Sequence, residues 1–221
     1  MPGTTPVYGF PYPEPTDLVA DYPALGQQLA EDIEGVLPGI GGLTVIAPTS
    51  IANSGGSATS TGGVVTFTGV SSISLNGVFS ATYRRYMLVW SGGGSTSPGT
   101  ACNMRLRASG TDASGANYFM QRSQFYASTA AAVRSTSQTS VLCGFFDSIG
   151  TTLASYLVSN PFLAASTLWL GTSGSNADTS NNAQLDGTYA SHSLTTSYDG
   201  FTLFPSAGTA TGIIRVYGIK D

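Results

Sequence analysis

Two kinds of hydrophobic patterning divide the chain near residue 42. Ahead of that point Leu25, Leu29, Ile33, Val36 and Leu37 recur at helical spacing, which predicts one short amphipathic α-helix. Asp21 is placed to cap it, Pro23 suits its first turn, and Pro38 with Gly39 end it. Beyond that point the apolar residues fall into short runs that read as strands. The runs are Leu43 to Ala47, Gly63 to Phe67, Ile73 to Phe79, Arg85 to Ser91, Cys102 to Ser109 and Asn117 to Tyr126. Further along they are Thr139 to Phe146, Leu153 to Ser159, Ser166 to Gly171, Asn182 to His192, Gly200 to Phe204 and Thr211 to Ile219. Turn signals part them at Asn76-Gly77, Ser91 to Gly94, Ser109-Gly110, Asp186-Gly187, Asp199-Gly200 and Pro205-Ser206. About ten short strands at this spacing predict an all-β, jelly-roll-like antiparallel β-sandwich over residues 43–221. The Ser/Gly/Thr/Ala run Asn53 to Gly63 reads as a low-complexity loop.

Facing is clearest where Met104, Leu106 and Ala108 alternate with Asn103, Arg105 and Arg107. One side of that strand is core and the other carries cations. Tyr86, Met87, Leu88, Val89 and Trp90 are apolar on both faces. An antiparallel sandwich normally leaves one face to water, so this strand is the candidate subunit interface of an oligomer.

Residues 1–42 read as an anchoring segment. Pro2, Pro6, Pro11, Pro13 and Pro15 hold its start extended, and Val7, Tyr8, Phe10 and Tyr12 give it an apolar face with nothing on its own chain to fold against. The helix, at about 22 Å, is marginal in isolation. Its stripe of Leu25, Leu29, Ile33 and Leu37 therefore needs burial against a host protein or further copies around an axis.

Charge sharpens the division. Glu14, Asp17, Asp21, Glu31, Asp32 and Glu34 precede Leu37, while the first basic residue is Arg84. Charged residues make up 9% of the 221, against about 25% in ordinary soluble domains. The surface is thus hydroxyl- and amide-rich, or hidden against other subunits. With 41% hydrophobic residues and a net charge of −4 the chain is not a disordered one. Eight basic residues do not form the concentrated surface that nucleic acid requires. No apolar run is long enough for membrane insertion. Met1-Pro2-Gly3 lacks a secretory start, which predicts synthesis in a cytoplasm and release by another route.

Catalytic chemistry is hard to assemble from these residues. His192 is the single histidine and no Gly-x-Ser-x-Gly elbow accompanies it. Asp112, Asp186 and Asp199 sit in turn contexts that favour aspartate for its backbone bonds. Cys102 and Cys143 fit no zinc or redox spacing and read as buried thiols, a disulfide requiring facing strands. No enzyme, cofactor or metal site is predicted; the weakest alternative is a glycan hydrolase using a carboxylate pair. Sugar binding is the better-supported chemistry. Tyr118, Tyr126, Trp169 and Tyr189 are the candidate glycan-contact rings, alongside Trp90 and Tyr198. The polar runs Ser109 to Asn117 and Thr172 to Asn182 are candidate adaptable loops.

The leader Pro2-Gly3-Thr4-Thr5-Pro6-Val7-Tyr8-Gly9-Phe10-Pro11-Tyr12, followed by Glu14-Pro15-Thr16-Asp17 and the acidic helix, resembles the start of minor tail and fibre-like proteins of tailed phages infecting actinobacteria. The stretch Asp199 to Leu203 and the ending Gly208 to Gly218 are similar to closing strands of phage β domains. The resemblance implies an N-terminal virion anchor over residues 1–42, a β-sandwich head over 43–221, and homotrimers. It carries no catalytic residue. The expectation is a non-enzymatic virion protein, a tail fibre or minor tail protein. Its partners would be copies of itself, other virion proteins through the arm and helix, and host-surface glycan. The alternative is a head decoration or capsid-fibre protein.

Overall fold

The computed structural model describes residues 3–4, 10–12, 14, 22–36, 42–93, 99–146, 152–176 and 183–220. The chain divides into two compact units, Met1–Thr44 and Val45–Asp221. In the first, β1 (Gly3–Thr4) pairs antiparallel with β2 (Pro11–Tyr12), with Gly3 opposite Tyr12. The expectation that the arm has nothing on its own chain to fold against is corrected: its backbone groups pair with each other, and β2 contacts the helix. The helix α1 spans Tyr22–Val36. Gln27 Nε2 donates to Glu31 Oε1 at 2.8 Å and Gln28 Nε2 to Asp32 Oδ1 at 3.0 Å, both one turn apart on its polar side. Leu25 and Leu29 are half-buried and Ile33 is exposed. Phe10 is half-buried and Tyr12 exposed, whereas Val7, Tyr8 and Leu37 lie outside the described residues.

The body is an all-β sandwich of two antiparallel sheets. Its strands are β3 (Leu43–Ile46), β4 (Ser50–Ser54), β5 (Ser57–Thr61), β6 (Val64–Val70), β7 (Ser72–Asn76) and β8 (Arg85–Gly93). Next come β9 (Thr100–Ala108), β10 (Thr111–Asp112), β11 (Tyr118–Tyr126), β12 (Thr129–Gln138), β13 (Val141–Phe146) and β14 (Thr152–Ser159). The last are β15 (Thr167–Asn176), β16 (Ala183–His192), β17 (Gly200–Pro205) and β18 (Ala210–Ile219). The large sheet runs β12-β11-β16-β15-β14-β8-β18-β6-β5, with β3 also on β18. The small sheet runs β10-β9-β17-β7-β4, with β13 also on β9. The chain switches sheets repeatedly, from β6 to β7 to β8 to β9, as the jelly-roll-like expectation requires.

Alternation along each strand builds the core. Tyr86, Leu88 and Trp90 of β8, Ala154, Tyr156 and Val158 of β14, and Ile214 and Val216 of β18 point inward from the large sheet. They meet Cys102, Met104 and Leu106 of β9, Phe201 and Leu203 of β17, and Ile73 and Leu75 of β7. Trp90 lies 5.0 Å from Phe146 and Phe79 4.8 Å from Tyr86, ring centre to centre. A tight place between the sheets falls at Gly144, whose φ is 119° and where a Cβ would lie 2.9 Å from Ser173 Cβ.

Several expected boundaries change. The expected loop Asn53 to Gly63 holds the end of β4 and all of β5, two edge strands held by backbone pairing to β7 and β6 and therefore invisible to a hydrophobic pattern. Between them Gly56 has a φ of 49° and passes so close to Thr68 O that a Cβ there would sit 2.0 Å away. β12 is likewise an unexpected strand, rich in Ala and Ser, at the other edge. Asp186-Gly187 lies inside β16 and Ser91 to Gly93 inside β8, where sheet pairing on both sides overrides their turn chemistry. The run Ser109 to Asn117 is held close: Arg107 donates to Gly110 O, Ala113 N donates to Leu106 O at 2.8 Å, and Tyr118 Oη to Ala113 O at 2.8 Å.

Candidate functional site

The two outer faces of the sandwich differ in the middle of each sheet. On the small sheet, Asn103, Arg105 and Arg107 of β9 project outward beside Thr202 and Phe204 of β17 and Ser74 and Asn76 of β7. Arg107 pairs with Asp112 and donates to Asn76 Oδ1 at 3.1 Å and Thr202 Oγ1 at 2.9 Å. The Arg105 guanidinium lies 4.6 Å over the Phe204 ring. This is the charged and amide-rich face that an antiparallel sheet normally turns to water.

The outer face of the large sheet is different. Across β11, β16, β15 and β14 no outward side chain among the described residues is charged; on the flanking strands Arg134 of β12, Arg85 of β8 and Arg215 of β18 point outward. Register lines most of the large apolar ones into two rows, with Leu168 and Phe119 on a further line through Ser191. In one, Met87 of β8 stands opposite Leu157, which stands opposite Leu170, which stands opposite Tyr189. In the other, Leu153 stands opposite Gly174, Gly174 opposite Leu185, and Leu185 opposite Phe125. Leu153 is 61% exposed, Leu170 60% and Leu185 51%. Between the rows runs a line of small residues, Ser155, Thr172, Gly187 and Ser123, each opposite the next. The result is a ridge, a trough and a second ridge. The trough opens as a hollow lined by Gln121, Ser123, Ala132, Leu170, Thr172 and Gly187, with Tyr189 on its wall. A second hollow beyond Tyr189 is lined by Phe119, Arg134, Ser135 and Ser191.

Against that geometry the expected residues separate. Tyr86, Leu88 and Trp90 are buried in the core of their own chain and cannot meet a second subunit. Tyr86 Oη is held at 2.8 Å by both the N–H and the carbonyl of Ser80. Met87 and Val89 occupy the opposite side of β8, half-buried, at the flank of the apolar rows. Tyr118 and Trp169 are buried and offer no ring face to a sugar; Trp90 and Tyr198 are buried too. Tyr126 is half-buried on the inner side of β11, and Tyr189 is half-exposed on the outer face. The leucines of β14, β15 and β16 were missed. Leu153 to Ser159 is apolar on both faces in the same way as Tyr86 to Trp90, and that signal was there to be read.

The titratable groups do not converge. His192 is buried, with its ring centre 4.4 Å from that of Tyr118 and its Nδ1 3.4 Å from Tyr198 Oη. Burial pushes its pKa down. Asp186 is buried on the inner side of β16, accepting from Gln184 Nε2 at 2.7 Å, with Arg122 Nη1 3.5 Å away. Burial pushes its carboxyl up, partly offset by Gln184 and Arg122. Asp199 Oδ2 accepts from Ser109 N at 3.2 Å, and Asp112 is engaged by Arg107 and Thr202. Asp147 and Asp178 lie outside the described residues. Among the described residues no three His, Cys, Asp or Glu side chains gather to hold a metal ion.

Comparison with protein-family models, with curated proteins and with solved structures finds no match.

Proposed function

We propose that this chain is a non-enzymatic structural protein of a phage virion, a homotrimeric tail fibre or minor tail protein. Residues 1–42 attach it to other virion proteins, and the β body projects and contacts the host envelope. The observation that carries the reading is the contrast between the outer faces. A body that works alone spreads polar side chains over both of its faces; this one ties arginine, amide and hydroxyl groups together over the small sheet and leaves the middle of the large sheet, β14 to β11, uncharged and leucine-rich, with Arg85, Arg134 and Arg215 only on the flanking strands. That is the division of labour of a subunit built for assembly. The resemblance of the leader supports placement in a virion, and the half-buried stripe Leu25 and Leu29 supports attachment through the helix. Host contact falls to surfaces that stay exposed on assembly. The reading places the protein in the virion tail after synthesis in the host cytoplasm, with no cofactor.

Antibody labelling of intact particles, imaged by electron microscopy, tests the reading. Label at the tail is expected. Label over the head contradicts the tail assignment in favour of decoration, and unlabelled particles from cells that make the protein contradict the virion role.

A further inference from the structure

We infer that the outer face of β8, β14, β15, β16 and β11 is where copies of this chain bind one another. The inference rests on the homotrimer reading above and gives it a surface. It replaces Tyr86, Leu88 and Trp90, which the core consumes, with the Leu157–Leu170–Tyr189 ridge and the trough beside it.

Three properties of the face select a second copy as its occupant. The first is neutrality. No outward side chain among the described residues of β11, β14, β15 and β16 is charged, and the cations Arg85 at the start of β8, Arg134 of β12 and Arg215 of β18 stand only at the border, so the middle of the face offers nothing to attract an acidic or basic partner. Burying the middle of one copy's face against another copy desolvates no charge there and sets no like charges together.

The second is size. Five strands at about 4.8 Å spacing and about 20 Å of strand length give a footprint on the order of 500 Å². A pair of such footprints reaches the roughly 1,000 Å² that marks a specific interface rather than a chance contact.

The third is relief. Leu157 and Leu153 are four positions apart on β14, so the ridges they begin stand about 13 Å apart. The trough between them is floored by Ser155, Thr172 and Gly187. Each copy thus carries both a knob of large side chains and a recess of small ones. Ridge into trough is a contact between unlike patches, and such a contact closes into a ring when the rotation permits. The homotrimer reading requires three copies to close it. A saccharide is a poorer occupant, because bonding the trough hydroxyls of Ser155 and Thr172 would leave the ridge leucines without an apolar partner. Tyr189 therefore becomes an interface ring rather than a glycan platform.

The test uses the full chain and two kinds of variant. Leu170→Glu places a charge on the ridge, and Ala52→Glu places one on the exposed outer side of β4 as a control. Light scattering after size exclusion reads the mass, and circular dichroism confirms that each variant is folded. Leu170→Cys and Ala52→Cys then read accessibility directly, through the rate of maleimide labelling. The expected result is an oligomeric wild type, a monomeric Leu170→Glu and an oligomeric Ala52→Glu. Leu170→Cys should label at least tenfold more slowly than Ala52→Cys in the assembled protein. An oligomer that survives Leu170→Glu, with both introduced thiols labelling alike, overturns this interface and leaves the homotrimer reading to α1, where Leu29→Glu would then dissociate it. A monomeric wild type overturns both. A Leu170→Cys thiol that labels freely in purified protein but is protected in particles also overturns the inference, assigning the face to a different virion protein.

Discussion

Cys102 and Cys143 face each other across β9 and β13 with their sulfurs 3.4 Å apart, and the Cys143 thiol reaches the Cys102 carbonyl at 3.3 Å. Both are free and buried. The pairing of Val141 with Met104 and Leu142 with Asn103 brings them opposite each other, so the facing strands that a disulfide would need are present although the bond is not. Burial pushes the Cys102 thiol well above its usual range, and the neighbouring Cys143 adds to the shift. Since the thiolate is the reactive form, native protein at pH 8 should take up no alkylating reagent within an hour. In guanidinium it should take up two equivalents, read by intact mass. Rapid labelling of folded protein would contradict this, as would no labelling after unfolding.

His192 predicts an acid-side loss of stability. Burial holds its folded pKa below the unfolded value of about 6.5. As the pH falls below that value the unfolded chain binds a proton that the folded chain refuses, so the stability present above it declines. Asp186 acts in the opposite sense: its carboxyl is raised on folding, so its contribution is present in acid and is lost as the pH rises through its folded value. Comparing wild type with His192→Phe isolates the histidine. The variant should keep its Tm more nearly constant between pH 6.5 and 5, in a scan of melting temperature against pH. Parallel curves would contradict the assignment.

Gly200 marks a contact that admits no side chain. A Cβ at this position would sit 2.1 Å from the Leu75 carbonyl oxygen on β7. The obstacle is backbone in the middle of the small sheet, so it cannot rotate away. Gly200→Ala should destabilise the body by about 1–3 kcal/mol, measured by urea unfolding. An unchanged midpoint would mean that β17 and β7 lie further apart than described.

Arg107 ties three elements of the small sheet together. It pairs with Asp112 on β10 and donates to Thr202 on β17 and Asn76 at the end of β7. Its side chain is 13% exposed, so it is only weakly screened. Arg107→Ala should cost about 1.5–3 kcal/mol, the range for hydrogen bonds to a charged group. Asp112→Asn, which keeps an acceptor, should cost less. Equal losses in the two variants, by urea unfolding, would contradict the network.

Much of the sandwich is legible because alternation follows burial. Met104 and Leu106 point inward and Arg105 and Arg107 outward, as their pattern predicts. The edge strands are illegible for a physical reason. Ser57 to Thr61 and Thr129 to Gln138 bury little and are held by backbone pairing, which leaves no hydrophobic trace. The proposed interaction surface is partly legible. An apolar strand with two apolar faces does signal something beyond a core, but the sequence does not say which face is inward. Tyr86, Leu88 and Trp90 are the larger set and take the core, leaving Met87 and Val89 for the outside. The row Leu157–Leu170–Tyr189 emerges from the register of three consecutive strands and Leu185–Phe125 from pairing of strands distant in sequence, and neither register is written in the hydrophobic pattern. Tyr118 and Trp169 show the same limit for the aromatic rings: residue type alone does not separate a core ring from a binding ring.

The most direct test of the account is the native mass of the full-length chain, by native mass spectrometry at micromolar concentration. The account predicts a single species of three times 22.6 kDa. A species of 22.6 kDa, stable on raising the concentration, would contradict a protein built for self-assembly.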